Sequence, residues 1–474
     1  MEMTFTRRSF LGGAAALAVW PADLGGAAGE GGARGLRPSQ LQVWEHPDGT
    51  ATDSVMVRRL YLDLAGRIPT KREAQAYVNS KDKDKRAALA GKLISSNAFA
   101  DYWTMRFCDI LRVKSEFPVN LWPNAVYVYH ARVRRFVERN ESWEDFGRAL
   151  LTSQGSNFRD AEVNFFRATD RRNPDGWAEA VAQTFLGIRP TEISERLRRD
   201  FAGYLSNVRI KRTREWKEEI VFVDGPDRRA ELCDRLFLQN RQSVADAFMM
   251  RVREWLFGPV VGRRPVKDAK ICGLKDAVRA LVLSPEYARG SVTGGFPVRR
   301  LDAEILDDAF CALSGMKRNY QSSAPEPFTF IPPERPTVSI EDGSISSAFL
   351  SLFGRPARDT GLMEERGTDV TAKQRLYLYN SGDVHRKLTR VSMPRWKLPD
   401  GTVHPFHRLK PPKRVEELYW HFLSREPSIN ELKIVSDEWR RRSNGGKDKK
   451  AKYGVLLRDV AWSLVNSKEF IFRT

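Results

Sequence analysis

FPVRRLDAEILDDAFCALSG, Phe296 to Gly315, reads as an amphipathic helix with one charge out of place. Pro297 suits a first turn, Leu301, Ile305, Leu306, Ala309, Phe310 and Leu313 fall on one apolar arc, and Gly315 is a C-terminal stop. At about 100° per residue Asp302 projects into that arc, whereas Glu304, Asp307 and Asp308 fall on the opposite, wettable side. A carboxylate in that position needs a cation, and the nearest in sequence are Arg299 and Arg300. A buried acid paired to arginine is either a packing device or a working group.

A second stretch repeats the theme. In the aromatic helix expected over Ala98 to Val113, Phe99, Trp103, Phe107 and Ile110 share one face. Arg106 points between Tyr102 and Phe99 on that face, with Asp109 one turn on. Arg106, Asp109, Arg300 and Asp302 are therefore the candidate site residues, as buried ion pairs or as acid–base groups.

The rest of the chain predicts a mainly α, two-domain helical protein with a few short β-strands. The length of 474 residues exceeds what one core usually serves. Thr52 to Ala65 predicts a helix stopped by Gly66 and Pro69, and Thr70 to Glu73 forms a capping box for the next. Helices follow over Leu121 to Arg139, Ser142 to Ser153 and Trp177 to Leu186, with Gly155 to Phe158 and Val163 to Phe166 read as turns. EWKEEIVFVD, Glu215 to Asp224, reads as a short strand, and Gly225-Pro226 marks a domain boundary. Beyond it come helices over Arg228 to Leu238 and Val244 to Phe257, and a surface excursion over Ser322 to Ser347. Closing helices are expected at Arg414 to Leu423, Ile429 to Arg442 behind the capping box Ser428 to Glu431, and Val455 to Val465. Phe470 and Phe472 are expected to dock the terminus.

The N-terminus reads as an export signal. Arg7-Arg8 and Phe10-Leu11 precede a short apolar run from Gly12 to Trp20, the pattern of a twin-arginine signal, with cleavage expected near Ala28. Residues 1–28 are then the signal, 29–50 a leader, 51–224 the N-terminal helical domain and 225–474 the C-terminal one. The run is too short to span a bilayer, so the mature chain is expected to carry no transmembrane span.

A formal net charge of +19 favours anionic partners. Export turns that expectation away from nucleic acid and toward acidic or sulfated polysaccharide, with an envelope protein as the other possible class of partner. Arg209 to Arg214, Arg408 to Arg414 and Arg440 to Lys452 are interleaved with Trp216, Trp396 and Trp439, a composition suited to gripping anionic polymers while stacking on sugars, although each also fits a solvated loop.

Other chemistry is poorly represented. Cys108, Cys233, Cys272 and Cys311 form no Cys-x-x-Cys and read as free buried thiols, with a Cys233 to Cys272 disulfide the alternative. Of six histidines only His404 and His407 are close, around Pro405, and a surface turn explains them better than a metal site. His-Glu-x-x-His, Gly-x-Ser-x-Gly and Walker-type loops are absent from the sequence, and no cofactor or metal is expected.

Several stretches together resemble two paired bacterial families, domains of unknown function 1549 and 1553. The first is matched by Arg58 to Leu64 with Gly66, Ile68, Pro69 and Thr70, by the Trp103 helix, and by Ala180 to Gly187. The second is matched by Arg251-Val252 through Gly258, Leu283 to Tyr287, Arg299 to Glu304, Phe349 to Gly354, Asn380-Ser381 and Leu464 to Phe470. The resemblance implies an exported, mostly helical protein, often accompanied by cytochrome-like modules, and implies no reaction. Many relatives carry Cys-x-x-Cys-His after the position of Gly187. Here the chain runs Ile188-Arg189-Pro190-Thr191-Glu192, without the thiols and histidine that a covalent haem requires. The expectation is thus an exported envelope protein acting as a binding or accessory component in polysaccharide handling, with a hydrolytic or redox-linked enzyme as the alternative.

Overall fold

In the computed structural model, residues 44–258, 273–292, 294–391, 396–397, 403–404, 406–444 and 449–474 are described. Arg7, Arg8, the expected cleavage point, Cys272 and Pro405 lie outside them, as do the side chains of Trp396, His404 and His407. The protein is predominantly helical, with a few short strands. Among the described residues no helix is long and apolar enough to cross a membrane.

The N-terminal half is built on helices Asp53–Ala65 and Asn97–Ile110. Gly66 stops the first at φ 60°, where an L-residue would be strained. Thr70 and Glu73 form the expected capping box over Lys71–Val78, with reciprocal bonds of 3.3 and 2.8 Å. Phe107 of the Asn97–Ile110 helix lies at the centre of an aromatic core, its ring 5.1 Å from both Phe136 and Trp255. Trp143 stacks on Phe248 at 5.5 Å, so Arg241–Phe257, which follows the Gly225-Pro226 joint, contributes to the same core as helices Pro123–Arg139 and Trp143–Thr152. Apolar burial runs continuously through both halves.

A three-stranded antiparallel sheet lies against this bundle in the order Gly155–Ser156, Glu219–Val223, Val208–Arg212. The expected strand Glu215 to Asp224 is shorter, because residues 213–218 form the hairpin turn, and its partner Val208–Arg212 carries too much charge to be recognised by hydrophobic pattern. The Gly155 to Phe158 stretch does turn, at residues 157–159 after the strand Gly155–Ser156, whereas Val163 to Phe166 is helical; Asn157, Asn164 and Phe166 are fully buried.

In the C-terminal half the deciding stretch gives helix Ala303–Ser314. Pro297 is not in its first turn, since Arg299–Arg300 pairs as a strand with Phe472–Arg473 and Asp302 is the N-cap residue. Gly315 ends it at φ 62°, as expected. The wettable face does not exist: Glu304, Asp307 and Asp308 are all buried, because polar groups from later segments reach them. Asp308 accepts from the Arg318 guanidinium and from the backbone N–H of Thr337 at 2.7 Å, and Asp307 accepts from the Thr337 hydroxyl at 2.9 Å. The segment 337–345 accordingly runs beneath this helix instead of over the surface, with Val338, Ile340 and Ile345 buried. Helix Lys449–Val465 starts earlier than expected, and Phe470 and Phe472 are buried as expected.

Candidate functional site

Three of the four candidate charges meet where the two halves pack. Asp302 is paired with Arg106 and accepts a hydrogen bond from the Tyr102 hydroxyl at 3.3 Å, and Arg106 donates to that hydroxyl at 2.7 Å. Arg106 therefore does not pair with Asp109. That carboxylate accepts from Arg358 at 2.9 Å and from Arg366 at 2.7 Å. Arg366 also binds Glu304 at 2.6 Å and stands 3.9 Å from Asp302, which joins the two pairs into one network. Arg300, an expected partner of Asp302, directs its donors to the carbonyls of Leu301, Phe353, Gly367 and Asp369 at 2.6–3.3 Å. Arg299 likewise donates to the carbonyls of Glu254 and Trp255.

Burial penalises the Asp302 charge, but Arg106, Arg366, Arg299 and Arg300 more than offset it and hold its carboxyl well below the usual carboxylate range. Asp109 is depressed in the same way: burial is outweighed by Arg366 and Arg358. An acid held this firmly ionised is a poor proton donor near neutral pH. The adjoining cavity, lined by Asp63, Tyr102, Arg299, Arg300, Asp302 and Arg473 among others, measures about 10 Å³. That is room for about one water-sized sphere and far too little for a sugar ring.

A different face carries exposed chemistry. Trp216, at the tip of the hairpin, is 69% exposed, and its ring stands edge-on to Trp122 at 6.4 Å. Trp122 in turn contacts Phe328 at 5.5 Å, and the Lys217 ammonium lies 5.6 Å from the Trp216 ring and 5.9 Å from that of Trp122. Phe117, Tyr127, Phe328 and Phe330 are exposed on the neighbouring segments. Trp122 has φ 72°, a conformation costly for a bulky residue, immediately before Pro123 at the start of a helix.

The hairpin tip is held from below. Asn157 donates to the Lys217 carbonyl at 3.3 Å and accepts from the Glu219 N–H at 2.8 Å, while the Ser156 hydroxyl donates to Glu218 at 2.5 Å. Thr213 closes the turn by donating to Glu218 at 2.8 Å. The buried polar turn that begins at Asn157, with Ser156 before it, is thus what fixes the tip. Arg209, Lys211, Arg212 and Arg214 are exposed along the adjoining strand and turn. Of the other two aromatic–basic stretches, Trp439 packs edge-on against Tyr453 at 5.0 Å, and the side chain of Trp396 lies outside the described residues.

Residues 41–203 match a family described as a protein of unknown function, DUF1549 (PSCyt2), and residues 274–439 match one described as a protein of unknown function, DUF1553 (PSD1). The chain pairs a DUF1549 domain with a DUF1553 domain. No curated protein and no solved structure matches it. Tyr102, Arg106 and Asp109 of the buried network come from the DUF1549 region, and Asp302, Glu304, Arg358 and Arg366 from the DUF1553 region. The aromatic face takes Trp122 from DUF1549, Phe328 from DUF1553 and Trp216 from the segment between. The position of the missing Cys-x-x-Cys-His is an exposed loop after Gly187, where Arg189 pairs with Glu364. Cys108, Cys233 and Cys311 are free, buried and apart, and burial pushes the Cys108 thiol up to about 12. Among the described residues no group of histidine, cysteine and carboxylate side chains is placed to hold a metal.

Proposed function

We propose that this chain is an exported envelope protein, directed by Arg7-Arg8 to the twin-arginine route, that binds an anionic, sulfated polysaccharide as an accessory component. The observation that carries the reading is the pre-organised aromatic face of Trp122, Trp216 and Phe328 with Lys217 set against both indoles. Flat exposed rings stack on the apolar faces of sugars, and the cations beside them pair with sulfate or carboxylate groups. The basic strand Val208–Arg212 continues that positive surface away from the rings, as an extended polymer requires. The enzymatic alternative is weaker on geometry: Arg300 and Asp302 line a cavity of only about 10 Å³, and Arg106 and Asp109 are buried in ion pairs.

Affinity electrophoresis through gels containing dextran sulfate tests the reading. A protein of net charge +19 is slowed by any polyanion, so the comparison that matters is with Trp216→Ala, which leaves the charge unchanged. The wild type should be retarded more than the variant, with retardation weakening from low to about 0.15 M salt as the ionic part is screened. Equal retardation of the two would mean that the aromatic face contributes nothing.

A further inference from the structure

The small cavity beside Asp302 is closed by the pairing of strand Arg299–Arg300 with Phe472–Arg473, and Asp63 and Tyr102 reach it from the N-terminal helices. Its charges do not balance. Three guanidinium groups, on Arg299, Arg300 and Arg473, line it with two carboxylates, Asp63 and Asp302, and a fourth, on Arg106, pairs with Asp302 from outside the lining. Both carboxylates are already engaged: Asp63 accepts from the Tyr287 hydroxyl at 2.8 Å and from Arg473 at 2.6 Å, and Asp302 from Arg106 and Tyr102. Arg299 and Arg300 meet neutral carbonyls, which satisfy their N–H groups without compensating their charge.

Arg473 supplies the second observation. It is 3% exposed, and with one nitrogen bound to Asp63 its Nε and Nη2 are buried without an acceptor. Such orphaned donors are costly in a folded protein. A water could accept from them, but its own hydrogens would then need acceptors, and the excess charge would persist.

We propose that this cavity is a binding site for a single monatomic anion of the chloride class, which accepts from Arg473 and offsets the surplus guanidinium charge. A space of about 10 Å³ admits one small sphere and excludes sulfate or phosphate. Because its walls come from Asp63 and Tyr102 on one side and from Arg299, Arg300 and the terminal strand on the other, the anion fastens the seam between the two halves.

The test is the thermal midpoint of the full chain in sodium chloride against sodium gluconate at constant ionic strength. Chloride should raise the midpoint by about 3 °C and saturate, and bromide should substitute for it. Arg473→Gln should abolish the difference, whereas Arg209→Gln on the exposed hairpin should keep it. Should Arg473→Gln fail to fold, bromide-soaked crystals decide the matter, with an anomalous peak between Arg473 and Arg299 expected. Equal midpoints in chloride and gluconate, or bromide found only on the outer surface, would overturn the site.

Discussion

Replacing Asp302 with Ala would show what the buried network does. Asp302 and Arg106 have side chains 5% and 3% exposed, so neither can exchange its partner for bulk water. Without the carboxylate, Arg106 retains the Tyr102 hydroxyl, while Arg366 still holds Glu304 and Asp109. The damage therefore concentrates on one buried, unpaired guanidinium, which costs about 3–5 kcal/mol. Arg106→Met leaves the complementary orphan, a carboxylate still near Arg366, and should cost somewhat less. Joining the two substitutions removes both charges, so the double variant should be less damaged than the sum of the singles by about 2 kcal/mol. Urea unfolding followed by near-ultraviolet circular dichroism measures all three, with dextran sulfate retardation recorded alongside. Additive losses, or single losses below about 1 kcal/mol, would refute the reasoning. Loss of a binding or catalytic activity at unchanged stability would instead make Asp302 a working group.

The network and its surroundings yield further expectations. Gly66→Ala should destabilise by about 2 kcal/mol or more, since the residue sits at φ 60° and a Cβ would stand 2.6 Å from the Tyr102 ring; thermal unfolding reads it directly. Trp216→Ala, by contrast, should change the unfolding free energy by no more than about 0.5 kcal/mol, because the ring is exposed. Stability should also fall with acid in two stages, measurable by urea titration at stepped pH. Burial, with the cations Arg358, Arg335 and Arg134 nearby, pushes His130 down to about 3, so from its ordinary value near pH 6.5 downward the unfolded chain binds a proton that the native one refuses. Stability is lost across that window, and His130→Asn should flatten the decline between pH 6.5 and 4.5. Asp302 and Asp109 titrate below the unfolded range, so their contribution is full above about pH 4 and disappears as pH falls through their native values.

The helical architecture was legible because it rests on local signals: the Thr70–Glu73 and Ser428–Glu431 boxes and the Gly66 and Gly315 stops lie where the pattern puts them. The misplaced charges were legible as well, since Arg106 and Asp302 each break an apolar face. Their partners were not. Arg358 and Arg366 come from irregular segments more than 240 residues from Asp109, and no periodicity marks them. The burial of Glu304, Asp307 and Asp308 was hidden for the same reason: a charged face is wettable only until other segments cover it. Trp216 was identifiable from its basic neighbours, but Trp122 and Phe328 join it only through folding, and Asn157 showed no sign of its role beneath the hairpin. The sole hint at Trp122 was the following proline, which shapes the residue before it.

The central claim, that the Trp216 face grips a sulfated glycan, is tested most directly by titrating a sulfated oligosaccharide, and its desulfated counterpart, against tryptophan fluorescence. The sulfated ligand should change the emission saturably. Trp216→Ala should lose most of that change and bind about 5–10-fold more weakly, in keeping with one stacking contact, while Trp439→Phe, altered at a packed ring, should behave as the wild type. An identical response from Trp216→Ala and the wild type, or equal binding of the desulfated ligand, would contradict the account.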